Sequence, residues 1–515
     1  MKAPTFGQAV AFEHSARGAY SDLKYTPTFR AAGIFFAFAD AKTDTHVSFL
    51  NYWREKNGNP SVSALVTIRD DKGAKVWREF TPLQDFTYQL GLKKALGAET
   101  FTGSIEVELH SPVDLKYAFP AIEVFYETPD GVSFVHSNQR VFNGVEDMDK
   151  NSALNARQTG FDVWADGKMS GFFSVVNGPR RVPDAKARVE LFNAAGRRLE
   201  LVFELGDLPA YGSRLLDIGA RSEARDFLGE KPGFCKVDVD AFGVFTRLAC
   251  GNRAVDGSRL SVTHSYYDCN SHDDYFEASG SGELDCFLPF NLVEGLDLDL
   301  VFYPIYSKSR LRFSLDAYDK DGRLAKTLDD VAALNSTGTE MVRLDVRALL
   351  AKSAVRDAKF LCLRVDSEDG RIPARLTFGM NYRREGVGAN INNSVFMGKS
   401  YGLRRRVYLW SPLMARAGSE NWILLSHFSK KPGAVEQAEL TLSVFTKSKR
   451  VLVKTFPTHN AEALNVSASR LLSEAGYAPA QNEILWYTVE SNNPNLTCNT
   501  VHASAKGFIG ADHSF

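Results

Sequence analysis

Apolar and polar residues alternate with a period of two along much of the chain. The pattern is clearest in four segments, each interrupted by a turn sequence: SALVTIRDDKGAKVW from residue 63, AKARVELFNAAGRRL from residue 185, LRFSLDAYDKDGRL from residue 311 and AELTLSVFTKSKRVL from residue 438. This period is typical of half-buried β-strands. Gly73, Gly196 and Gly322 lie in the first three turns, where a tight hairpin needs a residue with positive φ. The segments therefore predict four β-hairpins.

Further elements recur around each hairpin in the same order. A strand that ends near a small polar residue, such as Asn51 or Asn177, precedes the hairpin. A strand, one short helical patch and two more strands follow it; such patches are too short to be stable helices alone. The repeat of about 120 residues is the size of a domain rather than of a solenoid repeat.

The repeat predicts an all-β fold of four tandem antiparallel β-sandwich units, each with one short helix, packed as a compact array or closed ring. The predicted units are residues 1–145, 146–275, 276–390 and 391–515.

The last strand of each predicted unit leads into an element that contains histidine. The fullest example is LSVTHSYYDCNSHDDYF, from Leu260 to Phe276, with His264 at its centre. Weaker copies contain His14, His136 and His502, and the third unit carries Asn381 at the aligned place. Two interpretations stand for each copy: the histidine lines a pocket, or it hydrogen-bonds the neighbouring backbone and fastens the last strand. Repetition fits both, because duplicated structure repeats too.

Composition narrows the classes of function. Lys and Arg number 61 against 62 Asp and Glu, so no basic face for nucleic acid is expected. No apolar run is long enough to cross a bilayer, and the first residues contain no apolar signal segment. The six cysteines are too sparse for a disulfide framework. We therefore expect a cytoplasmic protein with no membrane insertion and with reduced thiols.

The second unit contains a strand ending in Asn177, followed by DAKARVELFNAAGR, LPAYGSRLLDI and RLSVTHSYYD. This succession resembles the sensory rhodopsin transducer family of small β-sandwich proteins, and the resemblance is fainter in the other units. Proteins of that family assemble as tetramers and are thought to bind small ligands or sugars. The resemblance thus implies a covalent pseudo-tetramer. Tyr266, Tyr267 and Asp268 follow Ser265 where the family has other residues, so its ligand contacts do not carry over.

The segment after His264 concentrates the most functional groups. Aromatic faces for apolar sugar faces, with Asp and Asn for hydroxyl groups, are typical of carbohydrate sites. The predicted ligand-binding residues are His264, Tyr266, Tyr267, Asp268, His272, Asp274, His136 and Arg140.

The same segment contains residues that could bind a metal ion. Asp268, Asn270, His272 and Asp274 alternate as calcium ligands do, and His264 with Cys269 adds donors that suit zinc. The spacing departs from known metal loops, so neither a metal nor a cofactor is predicted.

Catalytic sequence templates are missing, and no catalytic residue is assigned. The expected function is non-enzymatic: binding of a carbohydrate-like or small polar ligand, or service as an assembly scaffold. Protein partners would bind the faces or edges of the sandwiches. The alternative is an enzyme of glycan metabolism, metal-assisted or not, with its site in the loop from His264 to Asp274.

Overall fold

The structure is a computed structural model, and it describes a defined part of the chain. The described residues are 28–116, 120–136, 139–141, 157–267, 275–277, 286–304, 307, 309–335, 339–355, 357–373, 376–384, 388–394, 407–429, 436–493 and 495–515.

Most described residues lie in β-strands, as the alternation predicts. The first unit contains β1 (Phe29–Ala39), β2 (Asp44–Leu50), β3 (Ser63–Asp70), β4 (Lys75–Pro82), β5 (Thr87–Gly91), β6 (Phe101–Ser111), β7 (Glu123–Glu127) and β8 (Val132–His136). The second contains β9 (Arg140–Val141), β10 (Gln158–Thr159), β11 (Asp162–Val163), β12 (Met169–Val176), β13 (Val182–Phe192), β14 (Arg198–Leu208), β15 (Ser213–Asp217), β16 (Gly233–Val239), β17 (Val244–Phe245), β18 (Ala249–Ala254), β19 (Leu260–His264) and β20 (Tyr266–Tyr267).

The third and fourth units repeat this succession. The third contains β21 (Tyr275–Glu277), β22 (Cys286–Asn291), β23 (Asp297–Phe302), β24 (Leu311–Tyr318), β25 (Leu324–Leu334), β26 (Val342–Asp345), β27 (Phe360–Ser367), β28 (Arg371–Pro373), β29 (Thr377–Arg383) and β30 (Ala389–Ser394). The fourth contains β31 (Val407–Ala415), β32 (Glu420–His427), β33 (Gln437–Phe445), β34 (Arg450–His459), β35 (Glu462–Ser467), β36 (Glu483–Ser491), β37 (Leu496–Ala503) and β38 (Ile509–His513).

Helices are short and follow the predicted patches. They are α1 (Tyr52–Glu55), α2 (Leu92–Leu96), α3 (Ser222–Leu228), α4 (Val346–Lys352) and α5 (Ala468–Glu474). The predicted helix of each unit follows β5, β15, β26 or β35, and α1 is an additional turn of helix in the first unit. Within the described ranges, no helix has the length and apolar character needed to cross a membrane.

Every unit is a sandwich of two antiparallel sheets with the same strand order. The first unit has sheets β1-β6-β3-β4 and β5-β2-β7-β8, the third has β22-β27-β24-β25 and β26-β23-β29-β30, and the fourth has β31-β36-β33-β34 and β35-β32-β37-β38. In the second, β15-β12-β18-β19 faces a sheet of order β14-β13-β16-β10-β20, where β11 also pairs with β16. The all-β tandem-repeat fold is thus confirmed.

The two sheets of a unit enclose its apolar core. Ala187, Val189 and Leu191 of β13 are all buried, as their alternation predicts, and they pack with Phe173 of the facing sheet. The predicted turn glycines Gly73, Gly196 and Gly322 all have positive φ, between 72° and 84°. Local patterning therefore sets both the strand faces and the hairpin turns.

A buried asparagine explains why a strand ends near Asn51 or Asn177. The Asn177 side-chain amide donates to the carbonyl oxygens of Arg180, Leu208 and Pro209, and its Oδ1 accepts from the Phe242 amide. Four backbone groups of connecting loops are satisfied by one side chain, which keeps the loops packed against the end of the sandwich.

The hairpin turn of each unit lies at the start of β5, β15, β26 or β35 of the next unit. In the first unit, the carbonyl of Asp71 accepts from the Ser213 amide at 3.0 Å. In the second unit, a Cβ atom on Gly196 would lie 3.7 Å from the Thr339 carbonyl oxygen, just before β26. A Cβ atom on Gly322 would meet the Ala461 carbonyl oxygen at 2.8 Å, so the third unit touches the fourth in the same way. The fourth unit then reaches the first, because the Lys447 carbonyl accepts from the Phe86 amide at 2.9 Å. Head-to-tail contacts that return to their start define a closed ring.

The last strands of the four units meet at the centre of this ring. β8 contacts β19 and β38, and β30 contacts the same two strands. Hydrogen bonds fix their positions: the Val262 amide donates to Ser133 Oγ at 2.8 Å, and Asn392 Nδ2 donates to the His264 carbonyl at 2.6 Å. The described residues thus include a closed ring of four sandwiches, one of the two arrangements that the sequence left open.

One detail of the sequence alignment needs correction. Asn381 and His502 lie on β29 and β37, which are the penultimate strands of their units, whereas His136 and His264 end the last strands. The last strand of the third unit, β30, runs from Ala389 to Ser394. The third unit has no histidine on its last strand, so the sequence offered Asn381 as the nearest aligned place. His14 lies outside the described residues.

The glycine at the centre of the ring predicts a measurable effect on stability. A Cβ atom on Gly510 would lie 2.2 Å from the Val132 carbonyl oxygen of the first unit. Backbone atoms must shift to admit it, so we expect Gly510→Ala to lower the free energy of unfolding by about 3 kcal/mol, measured by urea denaturation.

Gly58→Ala is the control, because Gly58 has a φ of 64° but no atom near the added Cβ. Its cost should be that of the backbone conformation alone, about 1–2 kcal/mol. Equal stability of the Gly510→Ala variant and the wild type would contradict the central contact.

Candidate functional site

Three of the four last strands end in histidine at the centre of the ring. His136, His264 and His513 occupy the fifth position of β8, β19 and β38, and the fifth position of β30 is Asn393. The ring centroid of His136 lies 4.5 Å from that of His264 and 4.4 Å from that of His513. With Asp512 they form what we call the histidine cluster, in which one potential ligand atom per residue lies within 4.8 Å of the others.

An oxygen acceptor anchors one ring nitrogen of each histidine. His264 Nδ1 lies 3.1 Å from the Ser265 carbonyl oxygen, and His513 Nδ1 lies 3.1 Å from the Ser514 carbonyl oxygen. His136 Nδ1 lies 2.8 Å from Asp512 Oδ2. These oxygens can only accept from the rings, unless the Asp512 carboxylate is protonated. Each ring therefore donates from Nδ1, and the neutral form of each has its lone pair on Nε2.

Asp512 joins the fourth unit to the first. Its Oδ2 accepts from both the amide and the ring of His136, and its Oδ1 accepts from the His513 amide. Burial disfavours the charged carboxylate, but the charge and hydrogen bonds of His136, together with the charge of His513, hold the pKa of Asp512 below its usual value. Asp512 is therefore an ionised carboxylate that orients the His136 ring and holds the backbone of His513.

Burial holds His264 and His513 in their neutral form. Burial lowers the pKa of His264 well below its usual value, and the nearby charges of Arg247, His136 and His513 add to this effect. Burial and then the charge of His136 lower the pKa of His513 to about 4. Neutral imidazole has a free lone pair, so both rings can act as metal ligands at neutral pH.

In the His-Ser element, the serine makes most of the hydrogen bonds that fasten the last strand, and the histidine adds one. Ser265 Oγ accepts from the Leu248 amide at 2.8 Å and donates to Gln158 Oε1 at 2.6 Å. His264 adds the single bond to the Ser265 carbonyl. Its Nε2 is buried with no hydrogen-bond partner among the described residues. The fastening interpretation thus explains Ser265 and leaves one nitrogen of His264 unexplained.

A second buried carboxyl group lies beside the cluster. Glu123 pairs with His136 across β7 and β8, is fully buried, and its oxygens have no hydrogen-bond partner in the described ranges. Burial and the negative charge of Asp512 raise the pKa of Glu123 well above its usual value. The protonated acid is therefore its favoured form, and the cluster contains one carboxylate charge rather than two.

The cluster opens onto a cleft of about 1220 Å³ between the first, second and fourth units. His136 and His513 line one end, and Tyr266 and Arg247 of the second unit lie beside them. The other lining residues come from α1, the loop before β7, β31, β33, β36 and the chain end: Tyr52, Glu55, Lys56, Asn57, Lys116, Pro120, Ala121, Val407, Tyr408, Leu409, Trp410, Glu439, Thr441, Glu490, Ser491, Asn492 and Phe515.

Aromatic contacts run from the cleft wall into the cluster. Trp410 is stacked on Tyr52 at a centroid distance of 4.6 Å and on Phe515 at 5.8 Å. Phe515 meets His136 edge to face at 5.2 Å, and His264 meets Tyr266 in the same way at 5.1 Å. The guanidinium of Arg247 lies 4.8 Å from the Tyr266 centroid. Side chains of three units thus build one continuous surface.

The structure brings together three of the predicted site residues. His136, His264 and Tyr266 are in contact, and Tyr267 lies on β20 opposite Gln158. Arg140 is buried on β9, which pairs with β17, and it is not a member of the cluster. Asp268, His272 and Asp274 lie outside the described residues.

Sequence reasoning missed Asp512, His513 and Glu123. A signal for His513 was present, because His-Ser occurs at His136, at His264 and again at His513, whereas His502 is followed by Ala. His502 is buried on β37 with Nδ1 3.2 Å from Asn421 Oδ1, and it is not part of the cluster. No local pattern marks Glu123.

Comparison with known proteins identifies no family. No family profile matches the sequence, and no curated protein matches it. Among solved structures, a tetra-tandem repeat from the extending region of a large adhesion protein is 10% identical, with a TM-score of 0.10 over 88% of this chain and 91% of that one. Tripeptidyl peptidase 2 is 9% identical, with a TM-score of 0.12 over 98% of this chain and 42% of that one. Neither likeness supports an argument about fold or function.

The buried histidines predict a loss of stability in acid. Burial lowers the pKa of His502 to about 4, whereas an unfolded histidine titrates near 6.5. The contribution of His502 to the free energy of unfolding is fully present above pH 6.5. It is lost as the pH falls towards 4, because the unfolded chain takes up the proton at a higher pH than the folded chain. At pH 5 the loss should be about 2 kcal/mol for His502 alone, measured by urea denaturation at pH 7.5 and pH 5.

The His502→Gln variant should lose that part of the pH dependence. The exposed His459 supplies the control, since His459→Gln should keep the whole of it. The same pH dependence in all three proteins would show that His502 titrates in the folded state as it does in the unfolded state.

Proposed function

We propose that this protein binds a carbohydrate-like small polar ligand in the cleft above the histidine cluster. The observation that carries the proposal is the composition of the cleft wall, in which aromatic rings lie between charged side chains of both signs. Tyr408 and Phe515 are only partly buried, and Lys56 lies 5.4 Å from the Tyr408 ring centroid. Rings of this kind cover the apolar faces of sugars, while charged and amide groups bind hydroxyl groups.

The dimensions of the cleft support the same class of ligand. Its volume of about 1220 Å³ lies just above the usual range for small-molecule sites, about 300–1,000 Å³, and leaves room for more than one sugar ring. Glu55, Glu439 and Glu490 line it together with Lys56 and Lys116, so the wall offers both donors and acceptors. The resemblance to the sensory rhodopsin transducer family, whose proteins are thought to bind small ligands or sugars, agrees with this choice.

An enzyme of glycan metabolism is the second candidate. One observation favours it, because His513, whose pKa burial lowers to about 4, lines the end of the same cleft beside His136. To distinguish the two functions, the protein is incubated with a sugar that it binds, and the mass of the sugar is then measured by mass spectrometry. An unchanged mass supports the binding protein, and a cleaved or modified sugar supports the enzyme.

Tyr408 provides the test of the binding proposal. A glycan array identifies a sugar ligand, and isothermal titration calorimetry measures its affinity. Tyr408→Ala removes an aromatic face from the cleft and should weaken binding by about tenfold or more, whereas Tyr408→Phe keeps the face and should stay close to the wild type.

Phe456→Ala is the matched control. Phe456 is half-buried in the same unit, with Lys454 5.6 Å from its ring centroid, but it does not line the cleft. The affinity of the Phe456→Ala variant for the sugar should equal that of the wild-type protein. Absence of any bound glycan, or equal binding by the Tyr408→Ala variant, would refute the proposal.

A further inference from the structure

We propose that the histidine cluster is a binding site for one divalent transition-metal ion such as Zn²⁺. His136, His264 and His513 would each supply one nitrogen, and Asp512 would orient the His136 ring. The inference differs from the prediction of no metal made from the sequence. It goes beyond the proposed binding function, because metal uptake does not depend on the identity of a ligand in the cleft.

The number and kind of donors fit this class of ion. Three imidazole nitrogens suit Zn²⁺ and its neighbours, whereas Ca²⁺ and Mg²⁺ prefer oxygen ligands. Nitrogen ligands around tetrahedral zinc are about 3.4 Å apart, given bonds of about 2.0–2.1 Å. The candidate atoms lie within 4.8 Å of one another, so shifts of about 1 Å, within reach of side-chain rotation, bring them to bonding distance.

Hydrogen bonds around the cluster are those that a metal-binding histidine needs. Such residues usually donate the other ring N–H to a carbonyl or carboxylate oxygen, which fixes the tautomer and the ring orientation. All three rings have this bond: His264 to the Ser265 carbonyl, His513 to the Ser514 carbonyl, and His136 to Asp512. Three independent strands therefore present the same tautomer.

His264 supplies an independent observation. Its side chain is buried to 1% exposure, and Nε2 has no hydrogen-bond partner within the described part of the chain. A buried nitrogen left without a partner destabilises a fold, so its retention calls for a ligand. A metal ion bound by the two neighbouring histidines would supply that ligand.

Asp512 fits the role of an orienting group. Its two oxygens already accept three hydrogen bonds from His136 and His513. Three histidines then leave one position of a tetrahedral ion open, and the cleft lined by His136 and His513 gives access to it. A polar ligand or water could occupy that position.

The test uses the full chain without a polyhistidine tag, stripped with a chelator and then titrated with Zn²⁺ by calorimetry. We expect one ion per chain, confirmed by elemental analysis after gel filtration. His264→Gln and His513→Gln should each weaken binding by at least a hundredfold, and Asp512→Asn by about 10- to 100-fold.

His502→Gln is the matched control, because His502 is a buried histidine of the fourth unit outside the cluster. It should bind Zn²⁺ as the wild type does. Circular dichroism and thermal melting verify the fold of each variant, and the half-buried His513 gives a readout even if His264→Gln does not fold.

Two outcomes would overturn the inference: no stoichiometric Zn²⁺ uptake by the wild type, or unchanged uptake by both the folded His513→Gln and His264→Gln variants. Neither outcome bears on sugar binding through Tyr408, so the two proposals fail separately.

Discussion

The close approach of four edge strands at the centre of the ring is the constraint on which the rest of the structure depends. β8, β19, β30 and β38 are each the outermost strand of their sheet. An exposed edge strand invites pairing with other chains, and here each such edge is covered by the last strands of neighbouring units. The approach admits only small or polar groups at several places, such as Gly510 against Val132 and Ser133 against Val262.

Ring closure also explains where the polar groups lie. A strand that ended in solvent could carry a histidine without consequence, but the ends of β8, β19 and β38 meet inside the assembly. Their histidines are buried or half-buried, and each has its own hydrogen-bond acceptor. The cleft exists for the same reason, because its walls belong to three units that only the closed ring brings together.

The sequence predicts what is local and misses what depends on closure. Alternation around Ala187, Val189 and Leu191 identifies a strand and its buried face, because side-chain direction repeats every two residues. The turn glycines identify the hairpins for an equally local reason. The sequence identifies His264 and His136 because their strands have similar sequences. In the fourth unit the alignment selects His502, which lies one strand before His513. Glu123 belongs to the site only because it pairs with His136 across β7 and β8 and lies near Asp512. The periodicity of the sequence contains no information about such contacts.

Fusion of the four sandwiches into one chain releases them from exact rotational symmetry. In a ring of identical subunits, any residue on the last strand would appear four times around the axis. An aspartate at the position of Asp512 would then place four carboxylates together, and their mutual repulsion would force most of them to take up protons. In this chain the equivalent positions are Val135, Thr263 and Asn392, so a single carboxylate charge faces three imidazoles. Divergence of the repeats thus permits a directional arrangement of charge that a homotetramer could not build.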